Sequence, residues 1–143
     1  MKKLYLSLFT VSLFCFNIVS AQENVSYKDI FTVTADVSKV KPTTVKKTED
    51  IDVIFGKPIH RTWNLDQNDR GVTFGIWEGT TGKWNFSIDH WEYCRILTGE
   101  SIITDVTTGK TFHVKSGDSF VLQPGFSGTW EAISTTRKEF IVR

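Results

Sequence analysis

The sequence predicts an all-β domain, and three observations predict it. From Ile51 onward, short β-branched and aromatic runs are separated by turn residues roughly every eight to twelve positions. In KWNFSI, Trp84, Phe86 and Ile88 alternate with Lys83, Asn85 and Ser87, the period-two pattern of a strand with one face buried. No segment beyond the first 21 residues carries a helical period. Many short, evenly spaced strands in one domain imply a sandwich or a barrel.

The first element is not expected to belong to the fold. Lys2 and Lys3 precede a mostly apolar run from Leu4 to Val19, and Val19-Ser20-Ala21 closes it with small residues. That order is the layout of a secretory signal peptide cleaved after Ala21. The run is shorter than the ~20 residues a membrane-spanning helix needs, and Asn17 interrupts it. The mature chain of 122 residues is thus expected in the periplasm or outside the cell, with no stable membrane insertion. Two of the 17 basic residues leave with the signal and none of the 16 acidic ones, so the net charge becomes −1. A nearly neutral surface argues against nucleic acid as a partner. Of two cysteines only Cys94 remains, so no internal disulfide forms and packing must hold the fold.

Residues 22–50 read as an arm or linker, rich in Thr, Val and Lys, with Pro42 inside SKVKPTTVKKTED. Its TVTADV stretch, Thr32 to Val37, is a candidate for adding a strand to a second copy in a homodimer. Residues 51–143 then give ten strand-like runs: IDVIFG, HRTW, GVTFGIW, KWNFSI, EYCRIL, SIITDV, KTFHV, SFVL, GTWEAI and KEFIVR. LDQNDRG, EGTTGK, TTGK, KSGD and QPGFSG supply the turns between many of them. In EYCRILTG two inward sets are possible: Glu92, Cys94 and Ile96, or Tyr93, Arg95 and Leu97. Pattern alone leaves both open.

GIWE with GKW, then WEYCRILTG, SGDSFVLQPGFSGTWE and RKEFIV, resemble a small single-domain cupin. More narrowly, they resemble the cupin-domain family of (S)-ureidoglycine aminohydrolase. The resemblance covers Gly75 to Arg143 and implies a jelly-roll β-barrel, the double-stranded β-helix. It also implies turns at Gly117-Asp118 and Pro124-Gly125 and a hairpin closed by Gly99. Metal-binding cupins carry His-x-His, three or four residues, Glu, six residues, Gly. Glu92 and Gly99 fit that spacing. The histidine places fall on Phe86 and Ile88, or on Asn85 and Ser87, and the later one falls on Gly128. One carboxylate does not hold a transition metal against water, because catalytic sites typically use about three protein ligands. The expectation is therefore no metal and no cofactor.

Carried over from the family, the interior near the vanished metal is lined by Trp84, Phe86, Ile88, Glu92, Cys94 and Trp130, with Gly128 leaving space. The ligand-binding candidates are Trp84, Glu92, Trp130, Cys94 and Phe86, and Glu92 is the single candidate acid or base. Indole faces stack on planar groups or hold cations. The expected function is binding of a small polar or cationic molecule. Two alternatives stay open: a metal-independent isomerase, lyase or amidohydrolase using Glu92, and an accessory subunit with a filled barrel. In the last case the aromatics are core and Glu92 is paired with a buried Arg or Lys. With no cation partner assigned, burial is expected to raise the Glu92 pKa. Cys94 is expected to be inert, and Arg137 and Lys138 to be exposed.

Overall fold

A computed structural model describes residues 36–143. The expected signal peptide and most of TVTADV lie outside the described residues. Among the described residues there are eleven strands and no helix: β1 Thr44–Lys47, β2 Val53–Gly56, β3 Ile59–Gln67, β4 Thr73–Gly79, β5 Gly82–Ser87, β6 Glu92–Thr98, β7 Glu100–Asp105, β8 Thr111–Lys115, β9 Ser119–Leu122, β10 Ser127–Ala132 and β11 Thr136–Val142. Ten match the runs read from the sequence. The eleventh, β1, lies before Ile51, where no strand was expected, and pairs with β3. β3 also runs on through Leu65 to Gln67, into the segment expected as a turn.

The strands form two antiparallel sheets. Sheet A has the order β1-β3-β4-β11-β6-β9 and sheet B the order β2-β5-β10-β7-β8. This is the jelly roll the resemblance implies. Between the sheets, Trp84, Ile96, Ile103, Val114, Trp130 and Ala132 form the main core. Burying one such large apolar side chain contributes roughly 1.5–3 kcal/mol. Trp84 and Trp130 come from neighbouring strands, opposite one another in register, and their rings stack 6.4 Å apart.

Sheet A is covered on both faces. Its other face carries a smaller core of Val37, Trp63 and Ile76, with Leu65 and Leu97 against it. The chain ahead of β1 makes this cover: Val37 is buried, and the Trp63 indole N–H donates to the Val40 carbonyl at 2.8 Å. The question left open in β6 is thereby decided. Glu92, Cys94 and Ile96 face the barrel interior, while Leu97 joins the outer core.

Gly99 turns the β6–β7 hairpin with φ +84°, a conformation that side chains with a Cβ disfavour. A Cβ there would also lie 2.3 Å from the Thr135 carbonyl oxygen.

Candidate functional site

Alternation along β11 sets up the site. Thr136, Lys138 and Phe140 are buried, while Arg137, Glu139 and Ile141 are not. Lys138 stands opposite Trp77 of β4, and Trp77 stands opposite Thr62 of β3. These side chains share the inner face of sheet A with Glu92 and Cys94. Lys138 is thus inside the barrel, which corrects the expectation that it is exposed. A strand alternates strictly, and Lys138 has the parity of the core residue Phe140.

Inside, the Lys138 ammonium donates to Glu92 Oε1 at 2.7 Å and to Cys94 Sγ at 3.3 Å. The Cys94 thiol donates to the same Glu92 oxygen at 3.4 Å. Lys138 Nζ also lies 5.3 Å from the Trp77 ring centroid and 5.1 Å from that of Trp130. A cation in the aromatic box is therefore supplied by the chain itself.

The protonation states follow. Burial alone pushes the Glu92 carboxyl up, but the Lys138 ammonium outweighs it and holds Glu92 below its ordinary value. The expected raised pKa is corrected, because the partner cation that the sequence did not disclose is Lys138. Burial likewise opposes the charge on Lys138. Cys94 and the Glu92 carboxylate outweigh it, and Lys138 is held above its ordinary value. Burial pushes the Cys94 thiol up to about 12, with only partial relief from Lys138. Cys94 is a neutral thiol, in keeping with the inert role expected of it.

A cavity of about 170 Å³ opens beside this pair. His60, Trp77, Trp84, Trp130, Glu92 and Lys138 line it, along with Phe86, Ile88 and Leu122. A second, more open recess of about 250 Å³ shares Trp77, Glu92 and Lys138 and adds His90. The structure so brings together Trp84, Phe86, Glu92 and Trp130, while Cys94 sits behind the pair and lines neither space. Trp130 offers only its ring face. Its N–H is held by Ser101 Oγ at 3.0 Å, and Ser101 is held by Thr136 at 2.8 Å.

Sequence reasoning missed Lys138, Trp77 and His60. The parity of Lys138 with Phe140 was the available signal for the first. His60 gave none; it comes from β3, packs edge-on against Trp84 at 4.8 Å and bonds to Thr48. Burial first, and Lys46 second, hold its pKa below the ordinary value, so it is neutral. His90 adds a half-exposed imidazole whose Nε2 lies 3.7 Å from Glu92 Oε2.

The space expected at Gly128 is not there. A Cβ on Gly128 would lie 2.3 Å from the Thr104 carbonyl oxygen and 2.8 Å from the Phe126 ring. The family's metal does not fit these side chains. Phe86 and Ile88 bring no donor, Gly128 has no room for one, and Glu92 is engaged by Lys138. Among the described residues, no three His, Cys, Asp or Glu side chains are grouped so as to hold a metal ion.

Two antiparallel sheets closed around a small lined cavity define a cupin fold. Residues 67–140 match the family model described as the EutQ-like cupin domain, and the chain belongs to that family. Solved structures share the fold. A Pseudomonas syringae pv. tomato protein of unknown function, of the DUF861 family, is 19% identical over 72% of this chain and 43% of its own, with a TM-score of 0.64. This chain therefore spans less than half of that protein. The EutQ protein of Clostridium difficile is 13% identical over 76% of this chain and 84% of its own, at a TM-score of 0.57. The Cnp3 cupin domain of Schizosaccharomyces pombe is 16% identical over 58% and 63%, at 0.51. No curated protein matches the chain.

Proposed function

We propose that this chain is an exported, metal-independent cupin that binds a small, neutral, polar molecule beside the Lys138–Glu92 pair. One observation carries the reading: a charge-compensated ion pair stands in an aromatic box that still holds open space. A cationic ligand, the other possibility from the sequence, would meet the Lys138 ammonium where it needs the ring faces. An anion would meet the Glu92 carboxylate. A hydroxyl or carbonyl meets neither penalty. Lys138 spends two of its three N–H groups on Glu92 and Cys94, which leaves one for an acceptor in the cavity.

The narrower likeness to the ureidoglycine aminohydrolase branch brings no activity with it, because that reaction uses a metal and three of its four ligand places carry no donor here. An enzyme built on Glu92 is also less well supported. A general base works best with a pKa near the working pH, and Glu92 is shifted the other way. Lys138, held protonated, is no nucleophile. The accessory reading has two observations behind it: Glu92 is paired with the buried Lys138, as that reading expects, and 170 Å³ is small beside the ~300–1,000 Å³ of usual ligand pockets. Export and homodimer formation are part of the proposal. Mass spectrometry of envelope material is expected to show Gln22 as the N-terminus, and light scattering a dimer.

The test is a screen of small alcohols, amides and hydroxy-ketones by tryptophan fluorescence and thermal shift. Binders are expected for the wild type, with the response lost in the Glu92→Gln, Lys138→Met double variant. Elemental analysis of protein grown with added metal is expected to show far less than one metal per chain. A response to cations alone, or near-stoichiometric metal, overturns the reading. Silence across the screen favours the accessory role.

A further inference from the structure

β8 is the edge of sheet B and β9 the edge of sheet A, and a groove of about 670 Å³ lies along them. It is the open side of the barrel. Phe112 stands opposite Ile103 in register and so faces inward, yet it is 51% exposed. Phe120 stands opposite Cys94, and Leu122 opposite Glu92, on the inner face of sheet A. Phe126 closes one end and touches Phe86, at 5.4 Å between ring centroids.

Two observations join this groove to the inner cavity. Leu122 lines both spaces. Side chains directly opposite in an antiparallel pair have Cβ atoms about 4.5–5.5 Å apart, so a group lying on Leu122 is one side chain away from Glu92. The sizes are complementary as well. The inner cavity is below the usual range for a ligand, and the groove falls inside it.

The groove's charged groups are already engaged. Asp105 accepts from the backbone N–H of Thr107 and Thr108, and Asp118 accepts from that of Lys115. His113 is paired with Glu100. Besides Thr111 and Gln123, what remains for an occupant is apolar surface, much of it aromatic.

We infer that the groove and the cavity form one bipartite site for a neutral amphiphile. Its hydroxyl or carbonyl end meets Glu92 and Lys138, and its aryl tail, beyond the reach of a short alkyl chain, lies on Leu122 against Phe112, Phe120 and Phe126. This deepens the proposed function and rests on it. The site prefers ligands with a tail because the inner cavity alone buries too few atoms to hold a polar head against water.

The test compares 1-butanol with 4-phenyl-1-butanol, using tryptophan fluorescence and two-dimensional amide and indole NMR on the purified protein. The phenyl compound is expected to bind at least tenfold more tightly and to shift the Glu92 and Lys138 amides together with the Trp130 indole. Phe112→Ser, at an exposed position, is expected to weaken the phenyl compound at least fivefold and to leave 1-butanol unchanged, with Phe112→Tyr restoring most of the loss. Equal binding of both alcohols, indifferent to Phe112→Ser, overturns the bipartite site and leaves the neutral-ligand reading standing. Tail-dependent binding without any shift at Glu92, Lys138 or Trp130 makes the groove a separate apolar site and also overturns it. Binding of neither alcohol overturns the bipartite site, and the neutral-ligand reading then stands or falls on its own screen. A concentration-dependent dimer abolished by Phe112→Ser assigns the groove to a second copy of the chain instead.

Discussion

Arg137 and Lys138 are neighbours on β11 and point to opposite faces of sheet A. Each cation holds a carboxylate at 2.7 Å, Arg137 with Glu78 and Lys138 with Glu92. Outside, Glu78 is shared by Arg137 and Arg61, Arg137 lies 5.8 Å over Trp63, and water reaches both arginines. Inside, Lys138 and Glu92 are about nine-tenths withdrawn from solvent. The contact distances are the same and the energetics are not. Outside, Glu78 is nearly as withdrawn as Glu92, at 12% exposure, but water reaches the arginines and either one can be lost while the other still holds the carboxylate. Inside, each charge depends on the other, because no solvent stands ready to compensate a survivor.

The largest effect is expected from breaking the inner pair on one side. Glu92→Gln or Lys138→Met leaves an uncompensated buried charge and is expected to cost about 3–5 kcal/mol, read by denaturant unfolding at neutral pH. Removing both charges in the double variant is expected to recover most of that loss, since a pair replaced by groups of similar volume is often neutral. A double variant as unstable as either single one would show that Lys138 and Glu92 act through packing rather than charge.

Acid and base sharpen the same comparison. The Glu92 pKa is depressed in the fold, so its contribution is present above its ordinary value of 4.5 and is lost as pH falls through the lower folded value. The Lys138 pKa is raised, so its contribution is complete below 10.5 and is lost as pH rises through the higher folded value. Stability from this pair is therefore flat between those limits. Thermal unfolding from pH 3 to pH 11 is expected to show the acid-side loss in the wild type and not in the double variant. A steady fall in stability between pH 5 and pH 9 that Glu92→Gln abolishes would mean that Glu92 titrates there and is not held by Lys138.

The outer pair is expected to matter less. Arg137→Ala should cost about 1 kcal/mol or less and become smaller still in high salt, because Arg61 still holds Glu78 and a partly exposed cation is screened. A loss comparable to that of Lys138→Met would erase the contrast between the faces. The smallest effect is expected at Cys94. With its thiol pushed up to about 12 and buried, it should resist alkylation by iodoacetamide in the native state and react only on unfolding.

Most of the fold was legible because its signals are local. The turn residues and the alternation of KWNFSI mark strands without reference to anything distant, and ten strands were read that way. β1 was not, because TVKK is exposed at every position and carries no alternation. It is a strand through its pairing with β3, beside a segment that covers Trp63. The candidate site was half legible. Trp84, Phe86, Glu92 and Trp130 were named from the family's positions and do meet. Lys138 was expected at the surface, because a charge reads as solvent-facing, and Trp77 was not among the ligand-binding candidates.

The sequence by itself determined an all-β cupin, the absence of imidazole at Phe86, Ile88 and Gly128, and the burial of Trp84 and Trp130. The all-β class and the missing imidazoles are matters of residue identity, period and spacing, while the cupin fold and the interior place of Trp84 and Trp130 are what the resemblance implied. Only the tertiary structure decided which set in β6 faces inward, that Gly128 is crowded rather than open, and that the cation in the aromatic box is Lys138. Each depends on residues far apart in the chain: Lys138 and Glu92 are 46 positions apart and meet because β11 and β6 are neighbours in one sheet. The sign of the Glu92 shift went with them. Burial sets how much a charge costs, but a partner brought by the fold decides which way the proton goes.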